Sequence, residues 1–470
     1  MKFDAGRFLK AVVVVEDAEV EQLMHGLGSY FCCMAGFFLL QPLRDDTAVA
    51  LGSKVLPLLF LVSLAATVAI VPSATAHIVS FTASRSGRAV RQVYQGMALA
   101  TAAFYVMFML EAGVAAPGLT GATPAASRVK TCVHAAFYVW VTLQNVLATS
   151  IMWSRLADVF GPEAGARLFG VIGAGATAGQ LVGSLCAGLI SSVASMYSAQ
   201  SSAVTMPQLL LCAAVMMLQA GKHAARLKPP VGRKEGHVSA DDGDDGKSPD
   251  KPKPSITASL QLIWRSSYLL HICAYLFANA VCSSMFYFVK TITMLHSDVD
   301  TSSRRTAWFA GVNSVSAGIM LVLQVTASGR ALKGLGIPAA LAATASVNAL
   351  FFAAAAVHPS VRTVAVSDVV RRMVTYVATR PAREVLFTVV SRDEKYQAKA
   401  IVDTVVVRVG DTVAAALFRW LDTHGDVEPG GAAAVASGIA TSTALIAVAL
   451  GMRQQRMAKQ MALDVFVAGA

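Results

Sequence analysis

The sequence predicts an all-α, polytopic membrane protein with twelve transmembrane helices arranged as two six-helix halves. Three observations carry that expectation. Of 470 residues, 55% are hydrophobic and only 14% are charged, and the mean hydropathy is +0.57. A soluble domain carries about 25% charged residues. The apolar residues fall in runs long enough to cross a bilayer, separated by short polar turns. A polar, Pro- and Gly-rich stretch near the middle of the chain leaves six such runs on either side of it.

Taken in order, span one covers about Leu23–Leu40 and closes on Gln41-Pro-Leu-Arg-Asp-Asp46. Four acids ahead of it, Glu16, Asp17, Glu19 and Glu21, argue against a cleavable signal peptide. Span two starts at Lys54 and passes Pro72 towards a basic turn with Arg85, Arg88 and Arg91. Span three is about Val93–Val114, with Glu111 near its far end. Span four, about Thr131–Trp153, is more polar than a lipid-facing helix: His134, Tyr138, Thr142, Asn145 and Thr149 recur at helical spacing and share one face. Such a stripe lines a polar cavity or bonds helices to one another. Span five opens with Gly170, Gly173, Gly175, Gly179 and Gly183. No strand precedes this run, so close helix packing is expected rather than a dinucleotide loop. Span six is about Val204–Ala220.

Residues Gly221–Ser255 form the central linker, expected to be disordered and cytosolic, between a first bundle (residues 1–220) and a second (residues 256–470). Spans seven to twelve then fall near Leu269–Val289, Ala307–Ala327, Ile337–Val357, Arg362–Val390, Thr404–Leu421 and Ala432–Met452. The halves match in detail. Ser154-Arg155 and Ser391-Arg392 lie 237 residues apart, as do Gly173 and Gly410. Six plus six spans around a central loop is the major facilitator layout.

Basic residues set the expected orientation. Loops after even-numbered spans hold Arg155, Arg167, Arg330, Lys333, Arg392, Lys395 and Lys399, whereas the loop after span eleven holds Asp422, Asp426 and Glu428. Both termini are therefore expected on the cytosolic side. The net charge of +11 belongs to these loops and does not point to nucleic acid. The expected partners are the bilayer and a solute, with the chain a monomer.

The most informative stretch is Ser367–Asp411. Asp368, Arg372, Tyr376, Arg380, Arg383 and Phe387 step by four, four, four, three and four residues, which places them on one face of a regular helix. An arginine at bilayer depth costs about 2.5–3.5 kcal/mol on insertion scales, so it persists where it faces a watery or paired interior. Such a row is an anion site unless Arg380 and Arg383 merely pair with acids such as Glu384. Arginine grips phosphate oxygens bidentately. Arg372, Arg380 and Arg383 are the expected anion ligands, with Arg44 and Lys290 at the ends of spans one and seven. Tyr376 or Tyr138 could stack on an aromatic moiety, and Asn145 could supply hydrogen-bond selectivity. Pro381 is expected to kink span ten. Arg155 and Asp158 in one half, and Arg392, Glu394 and Lys395 in the other, read as gating latches or as positive-inside anchors.

Enzyme classes find no support. The full phosphate-binding pattern Gly-x-x-x-x-Gly-Lys-Ser/Thr does not occur in the sequence. The nine histidines show no ligand spacing, and the seven cysteines are scattered through apolar spans. No catalytic residue, metal or cofactor is expected.

Three motifs carry a family resemblance: Gln41-Pro-Leu-Arg-Asp45; Ala157-Asp-Val-Phe160 leading to Arg167-Leu-Phe-Gly-Val-Ile-Gly-Ala174; and Arg380-Pro-Ala-Arg-Glu-Val-Leu-Phe-Thr-Val-Val-Ser-Arg392 with Glu394-Lys-Tyr396 and Lys399. With these the chain resembles the ATP/ADP translocase (nucleotide transporter) family over nearly its whole length. The resemblance implies a twelve-span exchanger of nucleotides, adenylates first. Characterised exchangers tend to be basic around the end of span one, where this chain has Gln41 and leaves Arg44 alone. The alternatives are a transporter of another organic anion, proton-coupled through Glu111, Asp368 or Asp411, and a non-transporting membrane scaffold.

Overall fold

The structure, a computed structural model, describes residues 15–79, 83–114, 124–160, 162–196, 206–227, 256–326, 330–390, 405–424 and 428–468. The first six long helices are α1 (Asp17–Leu51), α2 (Leu56–Val79), α3 (Ala83–Val114), α4 (Pro124–Val159), α5 (Pro162–Ala194) and α6 (Gln208–Arg226). A short helix, Ile256–Arg265, then precedes α7 (Ser267–Leu295), α8 (Ser302–Thr326) and α9 (Arg330–Val357). The last three are α10, starting at Val361, α11 (Val407–His424) and α12 (Pro429–Ala468).

Eight of these helices are long and apolar enough to cross a membrane: α1, α3, α4, α5, α7, α8, α9 and α12. The apolar stretch of α2 covers Leu56–Ile70. α10 and α11 fall short because Asp368, Arg371, Arg372, Arg408 and Asp411 lie along them. Outward-facing apolar side chains, among them Leu99 (74% exposed), Leu350 (68%) and Leu445 (69%), suit lipid, whereas a soluble monomer rarely leaves such surface uncovered.

Helix neighbours repeat with an offset of six. α1 packs on α5 and α6, as α7 packs on α11 and α12, and α3 lies on α6 as α9 lies on α12. The halves meet through α5 with α8 and α2 with α11, again a symmetric exchange. This is an integral, multi-pass membrane protein built of two six-helix pseudo-repeats in the major facilitator manner.

The glycine run of span five does what small residues do in bilayers, letting backbones approach. A Cβ at Gly175 would lie 2.9 Å from the Leu27 side chain, and at Gly179 and Gly183 it would run into the carbonyl oxygens of Phe31 and Ala35 on α1. In the second half a Cβ at Gly410 would stand 2.8 Å from the Phe277 carbonyl of α7. Gly179 and Gly183 of α5 thus meet the backbone of α1 as Gly410 of α11 meets that of α7. Gly173, the match of Gly410 by spacing, has open space around its Cβ position.

Several boundaries differ from the sequence reading. Arg85, Arg88 and Arg91 belong to the first turns of α3 rather than to a turn before it. α6 continues to Arg226 because Gly221 lets it close on Tyr94, with Ala220 and Ala224 fully buried beside it. The expected linker residues 221–226 are thus helical, and residues 228–255 lie outside the described ones.

Candidate functional site

α10 departs from a regular helix at several points. It runs as α-helix over Val361–Val374, opens into a π turn over Thr375–Thr379, resumes over Arg380–Leu386 and ends in a 3-10 turn over Phe387–Val389. Pro381 supplies the reason: it has no N–H, and its ring crowds the carbonyl four residues back. The wide turn relieves that crowding, and the Arg380 N–H bonds the Thr375 carbonyl five residues before it. The extra residue rotates everything beyond it by about 100°. The single face expected from Asp368 to Phe387 is therefore split. Phe387 is fully buried in the core of the second half, beside Tyr268, Tyr275 and Leu386.

On the first part of α10, Asp368 is 1% exposed. Arg372 grips it with two nitrogens, at 2.9 and 2.8 Å. Arg371 reaches it at 3.2 Å and Lys290 of α7 stands 3.8 Å away. Lys290 also bonds Asp45 of α1 at 3.3 Å. Arg44 holds the same aspartate at 2.7 Å, and the Tyr287 hydroxyl donates to it at 3.1 Å. The Arg44 guanidinium carbon lies 5.4 Å from the centre of the Tyr138 ring and 5.7 Å from that of Tyr287. Four cations, Arg44, Lys290, Arg371 and Arg372, thus share two carboxylates, Asp45 and Asp368. The cluster joins α1 of the first half to α7 and α10 of the second and carries an excess of two positive charges. Beside it Asp46 pairs with Arg305 of α8 at 2.5 Å and accepts a hydrogen bond from Ser302.

A cavity of about 240 Å³ adjoins the cluster, lined by Arg44, Phe60, Ser63, Leu64, Tyr138, Thr142, Ser283, Ser284, Tyr287, Arg408 and Asp411. It lies where α2 meets α11, the junction between halves. Two members of the span-four stripe, Tyr138 and Thr142, face it. His134 instead bonds Glu111, which Lys130 also pairs with at 2.9 Å. Asn145 is half-buried two turns from Tyr138, and its side chain makes no hydrogen bond among the described residues.

The structure therefore brings together Arg44, Tyr138, Lys290 and Arg372, and separates from them Tyr376, Arg380 and Arg383. Arg380 lies past the π turn, about 12 Å along the axis from Arg372, with its guanidinium 5.5 Å from the Tyr376 ring centre. Gln324 of α8 donates to the Tyr376 hydroxyl at 2.5 Å and to Thr177 of α5 at 3.0 Å. Arg380 and Tyr376 also lie within electrostatic reach of Tyr30 on α1. Arg383 is half-buried beside Tyr275 and Glu384.

Of the expected latches, Arg155 is buried and donates to the Leu227 carbonyl at 2.8 Å. That bond clasps α4 to the end of α6 within one half, because the extended α6 places its last carbonyl there. The Asp158 side chain, Arg392, Glu394 and Lys395 lie outside the described residues. Asp45, Arg371 and Tyr287 went unread in the sequence. A pair of acids closing an apolar span, Asp45-Asp46, was the signal available. Among the described residues no group of three or more His, Cys, Asp or Glu could hold a metal ion.

Comparison with solved structures places this fold among polytopic transporters. The chain is similar to a mutant form of the nucleoside transporter NupG, with a TM-score of 0.56 and 11% identity over 93% of this chain and 99% of that one. A bacterial homologue of the human lysosomal transporter Spinster, inward-facing and unoccupied, gives 0.54 and 13% over 94% and 98%. A bacterial homologue of the iron transporter ferroportin, outward-facing with soaked iron, gives 0.53 and 12% over 94% and 100%. At these identities the likeness is one of fold. No family model and no curated protein matches the sequence, so the resemblance to ATP/ADP translocases rests on the quoted motifs alone.

Proposed function

We propose that this protein is a secondary transporter that moves an anionic, phosphate-bearing metabolite across a membrane by alternating access, with ATP/ADP-type nucleotide exchange the first case to test. The observation that carries the reading is the charge cluster between the halves. Four cations facing two carboxylates at a buried junction are costly unless something further neutralises them. An anion does so, and it draws α1, α7 and α10 into one site. The pairs with Asp45 and Asp368 hold the cations in place while the site is empty. Arg380, Tyr376 and Arg383 form a second station further along α10, the first two within electrostatic reach of Tyr30. The Asp46–Arg305 pair joins the halves beside the cluster, where making and breaking it would accompany the exchange of conformations. Both termini lie on the cytosolic side in this reading, as the basic loops direct. The chain acts without enzymatic chemistry.

The test is uptake of labelled ATP, ADP and inorganic phosphate into vesicles containing the purified protein. Saturable uptake that is trans-stimulated by the same solute inside, and is lost in Arg372→Ala, is expected. The size of the cavity favours a second reading, transport of a smaller organic anion. At about 240 Å³ it lies below the range of roughly 300–1,000 Å³ that encloses drug-sized ligands.

A further inference from the structure

The carboxylates inside the bundle are held unequally. Asp368 faces three cations, Asp45 two and a phenol, Asp46 an arginine at 2.5 Å, and Glu111 a lysine and a histidine. Asp411 on α11 has the same kinds of partner as Asp46, which also takes the Ser302 hydroxyl, but its arginine stands further off. One of its oxygens accepts from the Ser284 hydroxyl at 2.7 Å, and the other stands 3.3 Å from a single Arg408 nitrogen. Among the described residues it is also the one carboxylate that lines the 240 Å³ cavity. Arg408, about a third exposed, lines the same space, as does Arg44. A second observation points to a missing occupant. Ser63 of α2 is 7% exposed and lines the cavity, yet its hydroxyl has no hydrogen-bond partner among the described residues. A buried hydroxyl is ordinarily satisfied.

We infer that this cavity is a joint site for a small anion and a proton, the anion being taken on Arg408 and Arg44 while Asp411 is protonated as it arrives. Arg408 cannot serve two anions at full strength. When an anion draws its guanidinium away, Asp411 is left as a second negative charge in a confined space, a situation relieved when one of the two accepts a proton. The Asp411 carboxylate then becomes a carboxyl, its proton coming from water on the open side. For a monoanion the charge of the site is unchanged. The other charged or titratable groups facing Asp411 fit this role. They are Arg44 from α1, Tyr138 from α4 and Tyr287 from α7, while among the described residues α2 lends the wall no titratable side chain. The ligand class is a phosphate or carboxylate group, free or at one end of a larger solute. Whether the proton is carried across rests on the transporter reading above; the site itself does not.

Infrared difference spectroscopy of the full-length protein in lipid, with pH stepped down through the physiological range, reads the C=O stretch of a protonated carboxyl. The expected result is a band that is absent in Asp411→Asn, present but displaced in Asp411→Glu, and moved in Ser284→Ala, which loses the hydrogen bond to that group. Adding inorganic phosphate or acetate at fixed pH should strengthen the band, and the stronger responder identifies the anion. A wild-type spectrum retained in Asp411→Asn overturns the proton site, and a band indifferent to both anions overturns the joint site. A band that behaves as expected in vesicles taking up no ATP, ADP or phosphate would leave the site standing and the reading of nucleotide or phosphate transport refuted. Where uptake is present, it should follow an imposed proton gradient in wild type and lose that dependence in Asp411→Asn. Gradient-independent uptake in wild type overturns the coupling.

Discussion

Replacing Asp368 by asparagine separates a structural charge cluster from an anion-binding one. The substitution keeps the shape and removes the charge that Arg372 grips at 2.9 and 2.8 Å, Arg371 at 3.2 Å and Lys290 at 3.8 Å. The cluster's excess rises from two positive charges to three, at a residue only 1% exposed. Removing one partner of a buried pair costs about 3–5 kcal/mol, because the remaining charges stay desolvated. Asp368→Asn should therefore melt well below wild type in detergent. If the cations are an anion site, ligand should restore more in the variant than it adds to wild type. A ligand at a hundred times its Kd stabilises by about 2.7 kcal/mol, enough to recover most of the loss. The assay is the melting temperature of both proteins against ATP, ADP and inorganic phosphate, with chloride at equal ionic strength as reference. An undiminished melting temperature in Asp368→Asn, or recovery no greater than chloride gives, would refute the argument that these cations await an anion.

Other predictions follow from the same geometry. Arg380→Ala should weaken nucleotide binding by about ten- to a hundredfold, the loss of a hydrogen bond to a charged group, while Arg380→Lys falls short of rescue because the planar fork is gone. If only stability drops, and Arg380→Ala/Glu384→Ala restores it, the residue is a structural pair. Gly179→Ala should lower expression and melting temperature, since its methyl would meet the Phe31 carbonyl; overpacking of this kind costs about 1–3 kcal/mol. Gly173→Ala, with open space around it, should be neutral or stabilising, as alanine is the better helix former by up to about 1 kcal/mol. Equal behaviour of the two variants would contradict the packing of α5 on α1. In a background lacking the native cysteines, Ser248→Cys should resist an impermeant thiol reagent added outside intact cells; labelling would reverse the proposed orientation.

The sequence by itself determined what depends on composition and local period. Long apolar runs require helices that satisfy their own backbone in lipid, and the glycines of span five announced the close packing that Gly175, Gly179 and Gly183 make. The arginines of span ten declared an interior that is not plain hydrocarbon. Pro381 foretold an irregular helix, though not the form that irregularity took. A heptad or 3.6-residue pattern assumes an unbroken helix, and the π turn at Thr375–Thr379 adds one residue that cancels the register beyond it. Tyr376, Arg380 and Arg383 were therefore legible as residues but not as neighbours of Arg372. The pairing of charges was decided only by the tertiary structure. Lys290 and Asp45 lie 245 residues apart and Tyr287 and Asp45 242 apart, distances over which no periodicity carries information. Which acid a buried cation meets depends on how two six-helix halves close on each other. The desolvation cost of leaving any of these groups alone makes that closure specific.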